Sequence, residues 1–561
     1  SGIAMICTFG DTTDVTWWRE LQLPTRPIIG WDGRILPETP DWLTTPTGPE
    51  TYAAIAGATS FSAKERMVER LTEAGFVEGD PKPTVQAVKF YEKGDKPLEI
   101  VTTRQWYIRN GGRDTDLREA LVARGSELVW HPSYMQHRYD NWVGGLNGDW
   151  LISRQRYFGV PIPLWYRLDA EGNARYDEVL TPSEDSLPVD PSTDCPAGFG
   201  EAQRGRPGGF VGDPDVMDTW ATSSLTPQIA GQWEEPGDLF ARVFPMDVRP
   251  QGHDIIRTWL FSTAVRAHHE FGCAPWRHAA LSGWILDPDR KKMSKSKGNT
   301  VTPIDLLEKY GTDAVRYWAA SGRPGVDTAF DEGQMTIGRK LAMKLLNASK
   351  FVLGFGEPPA GAVPSAPVDL AMLARLNEVV ADATRAFDEF DYARALERTE
   401  QFFWWFCDDY LELVKMRAYG EGGPAESAAN ALARALSVLQ RLLAPFLPFA
   451  TEEVWSWWMD GSIHRSTWPS GDELRDAAGT WNPYVMGVAS DVLRELRRVK
   501  SEAKVSMRAA IETATVTDAG DRLTALEMVA EDLRASGNVA ELVMEPGDAF
   551  AVTAVLAPPE E

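Results

Sequence analysis

From Gln334 onward, apolar residues recur every three or four positions, the period of an amphipathic helix. Ile337, Leu341, Leu345 and Ala348 form one stripe, with Arg339, Lys340, Lys344 and Lys350 off it. The same period continues through Leu370–Phe390, Tyr392–Tyr419 and Ala425–Trp458, which predicts a helix bundle. The aromatic run Phe402–Phe406 fits that bundle's core better than a base-stacking platform. Upstream, residues 98–320 alternate between short apolar runs and helical periods, the signature of an α/β region. Leu98–Thr102, Ala279–Leu281 and Trp284–Leu286 are read as strands; Ile255–His269, Ile304–Tyr310 and Asp313–Ala320 are read as helices. A Pro-, Gly- and Asp-rich insert, Leu168–Gly212, interrupts them. The first hundred residues mix a loop (Pro24–Glu50), short strands and one clear helix, Ala63 to Ala74, closed by Gly75. A Pro/Gly/Ala linker, Gly354–Pro367, separates bundle helices. After about Met486 comes a basic helix followed by strand-like runs at Ala514–Thr517, Val539–Met544 and Ala549–Val555.

At 561 residues the chain exceeds what one core organises. The texture predicts boundaries near 97, 333 and 485: a leading segment (1–97), an α/β half-domain (98–333), a helical domain (334–485) and a small α/β appendage (486–561). No apolar run reaches the length of a bilayer span, and the start has no basic leader. The chain opens directly into a strand-like run without an initiator methionine, so we expect an internal start within something longer. Cys7, Cys195, Cys273 and Cys407 stand far apart with no C-x-x-C, which supports neither a disulfide framework nor a structural metal. A cytoplasmic, membrane-free protein, monomeric by default, is the expectation. Net charge is −24, so any polyanion must be met by local basic patches rather than by the whole surface.

One such patch is extreme. Seven of the eight residues from Arg290 to Lys297 are basic or hydroxylic, and Gly298-Asn299 closes the run. Thr302-Pro303-Ile304-Asp305 then opens a helix with an N-cap, a proline at the first position and an early acid. Cations packed on a Ser/Gly-flanked loop repel one another unless a polyanion sits there. In nucleotidyl transfer, catalysis is largely charge stabilisation and positioning, which such a loop supplies. The string Lys292-Met293-Ser294-Lys295-Ser296 resembles the KMSKS loop of the class I aminoacyl-tRNA synthetases.

Three further segments follow the order found in that family. Gly148 to Trp165, containing Ser153-Arg154-Gln155-Arg156-Tyr157-Phe158, is similar to the stretch before the connecting insert of the valine and isoleucine members; those commonly carry tryptophan where Phe158 stands. Asp213 to Ser224 resembles the valine branch in its Asp218-Thr219-Trp220 followed by Ser223-Ser224. There, a flat indole (Trp220) beside a short β-branched side chain (Val216) would make a small apolar slot for the amino acid, with Phe158 nearby. Trp220 as ordinary core is the competing reading. Gln251-Gly252-His253-Asp254, opening a helix, resembles the family's ATP-ribose segment: Gly252 would admit the ligand to the backbone and Asp254 would accept a ribose hydroxyl. Asp254 is equally suited to be an N-cap.

Ser1–Leu23 is similar to the end of the family's editing domain, where an acid holds the α-ammonium of a mischarged amino acid. Asp14 matches that acid, Asp11 is the runner-up, and Asp14 also suits an N-cap for a helix beginning at Val15. The basic helix Asp491–Lys504, with Arg497 and Arg498 central, is either a solvated face or a tRNA-backbone contact. No His-x-Gly-His string, the family's other ATP motif, occurs.

The resemblance implies an incomplete α/β Rossmann-type catalytic core, an all-α anticodon-binding bundle and a small C-terminal α/β appendage. It implies ATP as substrate with Mg2+, with Lys292, Ser294, Lys295 and Ser296 around the phosphates. Valine and its acceptor tRNA would be the partners, with Arg339, Lys340 and Lys344 on the nucleic acid. An apolar slot rejects an isostere with an added hydroxyl only weakly, so hydrolytic editing of threonine is expected beside valine activation. This chain alone is expected to be inactive. The alternatives are a piece of an isoleucine or leucine enzyme, or a non-catalytic tRNA-binding paralogue.

Overall fold

The computed structural model describes residues 12–80, 82, 90, 98–293, 298–356, 363–478, 482 and 484–558. The chain divides into two compact units: residues 1–108 with 151–155, and residues 109–150 with 156–561.

In the first unit, helix α1 (Thr12–Glu20) begins three residues before the expected Val15. Asp14 therefore lies within the first turn, where a carboxylate complements the helix dipole, and does not cap it. The helix read at Ala63–Ala74 spans Ser60–Glu73, with the Thr59 side chain accepting from the Ser62 amide and Gly75 left-handed after it. Its Ala63 packs with Ile35, Tyr52, Ile55 and Ala58 in a small core. Leu98–Thr102 is not a strand. Leu98 and Ile100 are both exposed, so the alternation that suggested pleating has no buried face to pay for pairing. The return segment 151–155 is tied in locally: Ile152 N–H donates to Trp106 O (3.0 Å), and Ser153 Oγ accepts from Trp106 N–H (2.8 Å).

The second unit holds a parallel sheet of β1 (Val129–His131), β2 (Met246–Gly252) and β3 (Trp276–Ser282), in the order β1-β3-β2. Trp130, Trp276, Ala279 and Leu281 bury its apolar positions. Strand β2 passes into a 3-10 turn (His253–Ile255), a π turn (Ile256–Leu260) and then α2 (Phe261–Phe271), so the helix read at Ile255–His269 is three local geometries in succession. The short strands β4 (Ile285–Leu286) and β5 (Thr328–Ala329) pair parallel beside this sheet. Part of the insert is regular: Trp165–Leu168 pairs antiparallel with both Ala174–Leu180 and Phe210–Gly212.

Helix α3 (Thr312–Ala320) leads into the bundle, made of α4 (Glu332–Leu353), α5 (Pro367–Asp388), α6 (Tyr392–Trp405), α7 (Leu411–Ala418), α8 (Gly423–Leu443) and α9 (Pro448–Trp455). Leu341, Leu345 and Ala348 are buried as the stripe predicts, while Ile337 is exposed. Phe402, Phe403 and Phe406 are buried, confirming the aromatic run as core. The stretch read as one helix over Ala425–Trp458 breaks between α8 and α9, where Pro448 opens the new helix. The linker at Gly354–Pro367 lies partly outside the described residues, and α5 starts at Pro367.

Helix α10 (Tyr484–Glu502) and α11 (Ala530–Gly537) pack with the sheet of β6 (Ile511–Asp518), β7 (Val539–Pro546) and β8 (Ala551–Leu556), in the order β7-β6-β8. β6 runs parallel to β7 and antiparallel to β8. The appendage shares one continuous core with the bundle, from Tyr317 through Leu439 to Val552.

Candidate active site

The second unit assembles its polar chemistry at the C-terminal ends of β2 and β3, where Gly252 is in register with Ser282. Open α/β sheets place ligands at this edge because loops, not packed elements, follow the strands there. Gly252 stands immediately before the 3-10 turn, and a Cβ on it would lie 2.8 Å from Asp254 Oδ1. Any larger residue would displace the carboxylate.

Across from it, Lys292 Nζ is 3.5 Å from Asp254 Oδ2 and 3.9 Å above the centroid of the Trp284 ring. Both members of the ion pair are substantially solvent-exposed, so the pair itself contributes at most about 1 kcal/mol. Its consequence is placement rather than stability: Lys292 sits over the 3-10 turn that follows β2.

The loop's base is anchored more firmly. Asp287, 8 % exposed, accepts from the Lys291 amide (2.7 Å) and from Asn299 Nδ2 (2.8 Å), tying the two ends of the lysine-rich run together. The Lys291 amide, and then Asn299, hold the Asp287 carboxyl below the usual carboxylate range. Arg290 takes a left-handed φ of 62° to make this turn. Ser294, Lys295, Ser296 and Lys297 lie outside the described residues.

Beneath the pair, His253 is buried. Its Nδ1 accepts from Arg138 Nη1 (3.0 Å), which leaves Nε2 to donate to Asp327 Oδ1 (3.3 Å). The Trp284 amide also donates to Asp327 (2.8 Å), and that bond, with the one from His253, keeps the Asp327 carboxyl below its ordinary range. One carboxylate thus fixes both the residue before Asp254 and the indole under Lys292. Sequence reading missed Asp327, because nothing local to Val326-Asp327-Thr328 marks it.

The candidate amino-acid residues are only partly gathered. Val216 is 9 % exposed, and the Gly159 backbone packs so closely that a Cβ there would lie 2.8 Å from Val216 Cγ2. Trp220 is half-buried on a short helix, Thr219–Ser223, capped by the Asp218 side chain. Trp259, not singled out from sequence, donates from Nε1 to Ser223 O (2.8 Å) at the end of that helix. Phe158 is 91 % exposed. Behind Trp259 lies Arg249, buried on β2 with its guanidinium 3.1 Å from that ring's centroid and 4.8 Å from the Trp276 ring. Desolvation pushes its pKa down to about 9.

The expected nucleic-acid residues divide. Lys340 is exposed, and Arg339 donates to Lys309 O (3.1 Å). Lys344 pairs with Asp408 (2.9 Å), Arg497 with Asp409 (3.1 Å), and Arg498 with Glu495 and Glu502. On α10 the structure therefore spends the central arginines on intramolecular carboxylates. Among the described residues, no group of three or more His, Cys, Asp or Glu is arranged to hold a metal, and no helix is long and apolar enough to cross a membrane.

Comparison with known proteins fits this geometry. The description "tRNA synthetases class I (I, L, M and V)" matches residues 25–331, and "Anticodon-binding domain of tRNA ligase" matches 369–515. The chain belongs to the class I tRNA synthetases. Within that class it is 63 % identical to the valine–tRNA ligase of Thermobifida fusca, covering 100 % of this chain and 64 % of the relative. It is 61 % identical to that of Salinispora tropica (97 % and 65 %) and 58 % identical to that of Cutibacterium acnes (100 % and 64 %). The chain thus spans 64–65 % of the length of these curated relatives.

Proposed function

We propose that this chain is the catalytic and anticodon-binding portion of a valine–tRNA ligase, which activates valine with ATP and transfers it to its tRNA. The observation that carries the reading is the placement of Lys292 over Asp254 at the C-terminal edge of the parallel sheet. It joins a cationic loop to a glycine-preceded carboxylate, one suited to polyphosphate and the other to a ribose hydroxyl. Identity of 58–63 % to valine–tRNA ligases supports valine as the amino acid.

In this reading Gly252 and Asp254 bind the ribose, and Lys292, Ser294, Lys295 and Ser296 neutralise charge on the phosphates. Mg2+ arrives with ATP rather than in a protein cage, as is usual for that ion. Val216, Trp220 and Trp259 form the apolar slot. The four expected domains, a cytoplasmic location and a monomeric state belong to the same proposal. Asp14 serves editing of threonine by holding the α-ammonium of the mischarged residue. The chain has no His-x-Gly-His string, so by itself it forms no adenylate: charge donors must flank the α-phosphate in one geometry.

The test is valine-dependent pyrophosphate exchange in an enzyme of the relatives' length. Lys295→Ala should lower it by at least ~10²-fold, the scale of losing one preorganised donor, with ATP-independent valine binding little changed. An unaltered exchange rate would reduce the loop to a solvated turn.

A further inference from the structure

Among the described residues, three lysines or arginines are buried: Arg249, Arg441 and Lys500. Two of them are answered inside the fold. Arg441 pairs with Glu473 (2.6 Å), and Lys500 donates to the carbonyls of Met507 (3.0 Å) and Gly537 (2.7 Å). Arg249 is not: its Nε and Nη2 are buried without a hydrogen-bond partner. With its pKa lowered to about 9 by burial, the group still carries its charge at neutral pH. It stands three residues before Gly252 on β2, its guanidinium carbon 3.1 Å from the centroid of the Trp259 ring and 4.8 Å from that of Trp276.

A buried charge without a counterion costs free energy that carboxylates or carbonyls normally offset. Here two ring faces do so, and the nearer belongs to Trp259. That indole is already held by its edge, because Nε1 donates to Ser223 O (2.8 Å) at the end of the short helix carrying Trp220. It stands on the π turn Ile256–Leu260, a geometry frequent at functional sites. Its edge is thus pinned by a hydrogen bond and one face is covered by a cation. Trp259 is nevertheless only half-buried, so part of the ring stays accessible.

We infer that Arg249 is a positioning residue for the amino-acid slot, setting the plane of Trp259 from behind so that the opposite face is a fixed wall for an uncharged side chain. The inference rests on the slot reading above, in which Trp259 joins Val216 and Trp220. Arg249 touches no substrate and acts through the ring. Its charge has a second effect on the same wall. A cation on one face of an indole draws on the π density, which makes the other face a poorer seat for an ammonium group and leaves apolar contact intact. The slot therefore takes the branched alkyl group against Trp259 and turns the α-ammonium away from it.

The test is valine-dependent pyrophosphate exchange in an enzyme of the relatives' length, with kcat, the KM for valine and the KM for ATP read separately. Arg249→Met keeps an apolar stem but removes the charge and the planar group. It should raise the valine KM by roughly 10- to 30-fold, the scale of a desolvated cation–π contact, with the ATP KM unchanged. Arg249→Lys, which keeps the charge without the planar fork, should recover part of that loss. In a Trp259→Leu background, Arg249→Met should add little, because its effect passes through the ring. Thermal melts establish that each variant is folded; should Arg249→Met not fold, Arg249→Lys carries the same comparison with a smaller rise. An unshifted valine KM, equal rises in both KM values, or a full further loss in the Trp259→Leu background overturns the role of Arg249 and leaves the slot reading standing. If Trp259→Leu itself leaves the valine KM unchanged, the slot reading fails and this inference with it.

Discussion

The Lys292 ammonium lies 3.5 Å from the Asp254 carboxylate, joining two segments 38 residues apart in sequence. Trp284 lies under the same ammonium, and Asp327 fixes Trp284 through its amide. The lysine therefore stands between a carboxylate and a π face, both of which hold it in place.

This arrangement makes Lys292 replaceable in part. In an enzyme of the relatives' length, Lys292→Ala should lower valine-dependent pyrophosphate exchange by roughly 10- to 100-fold, at or below the loss expected for a fully preorganised donor. Lys292→Arg should recover much of it, because arginine keeps the charge and also stacks on indole. If alanine and arginine variants exchange at the parent rate, Lys292 does no more than pin the loop.

Trp220 tests the slot. Trp220→Ala should weaken valine activation and relax discrimination against larger side chains, because a cavity replaces a wall. The readout is kcat/KM for valine against isoleucine in the exchange assay, run beside a melting curve. Unchanged valine kinetics with an early melt would make Trp220 core, which its half-buried position also permits.

Much of this was legible because it is local. The stripe Leu341, Leu345 and Ala348 is buried as its spacing requires, and Ala279–Leu281 is the centre of β3. The lysine run and Gly252-His253-Asp254 pointed to a candidate site through their resemblance to family segments in the family's order, since residue types alone would also fit a solvated turn and an N-cap. Period misleads where burial is absent: Leu98 and Ile100 alternate but both face solvent, and Ile337 keeps the helical spacing at the stripe's exposed edge. What stayed hidden depends on distant pairing. Asp327 meets His253 across 74 residues, and α10's arginines looked available until Asp409 closed on Arg497 across 88. No window of sequence shows such partners.

Arg417 on α7 shows how much of the bundle rests on one of these distant contacts. Its guanidinium forks onto Asp369 of α5 (2.7 and 2.9 Å) while its Nε meets Asp532 of α11 (2.9 Å). Asp369 is fully buried and also accepts from Tyr410 (2.7 Å) and Ser427 (2.7 Å). Burial pushes the Asp532 carboxyl above its ordinary range despite the arginine. Arg417→Met would strand a buried carboxylate, at a cost of about 3–5 kcal/mol. Adding Asp369→Asn should return part of that loss. Urea unfolding of the three proteins measures it, and equal stability of parent and Arg417→Met would show the network to be idle.

A second joint, between the sheet and the bundle, should respond to pH. His131 Nε2 on β1 lies 3.0 Å from His278 Nδ1 on β3, and the Phe390 ring packs 4.3 Å from His131 and 5.1 Å from His278. Phe390, just past α5, holds a left-handed φ of 61° there. Burial, and then the neighbouring His278, lower the His131 pKa from 6.5, with a backbone bond at Glu389 opposing them in part. On acidification the unfolded chain therefore takes up this proton first. The stabilisation from neutral His131 is complete above pH 6.5 and is lost as pH falls through that value toward the depressed folded pKa. The melting temperature of the parent should fall between pH 7.5 and 5.5, with part of the drop removed in His131→Gln, which cannot titrate. An identical pH dependence in the variant would mean that the joint carries no proton-linked stability.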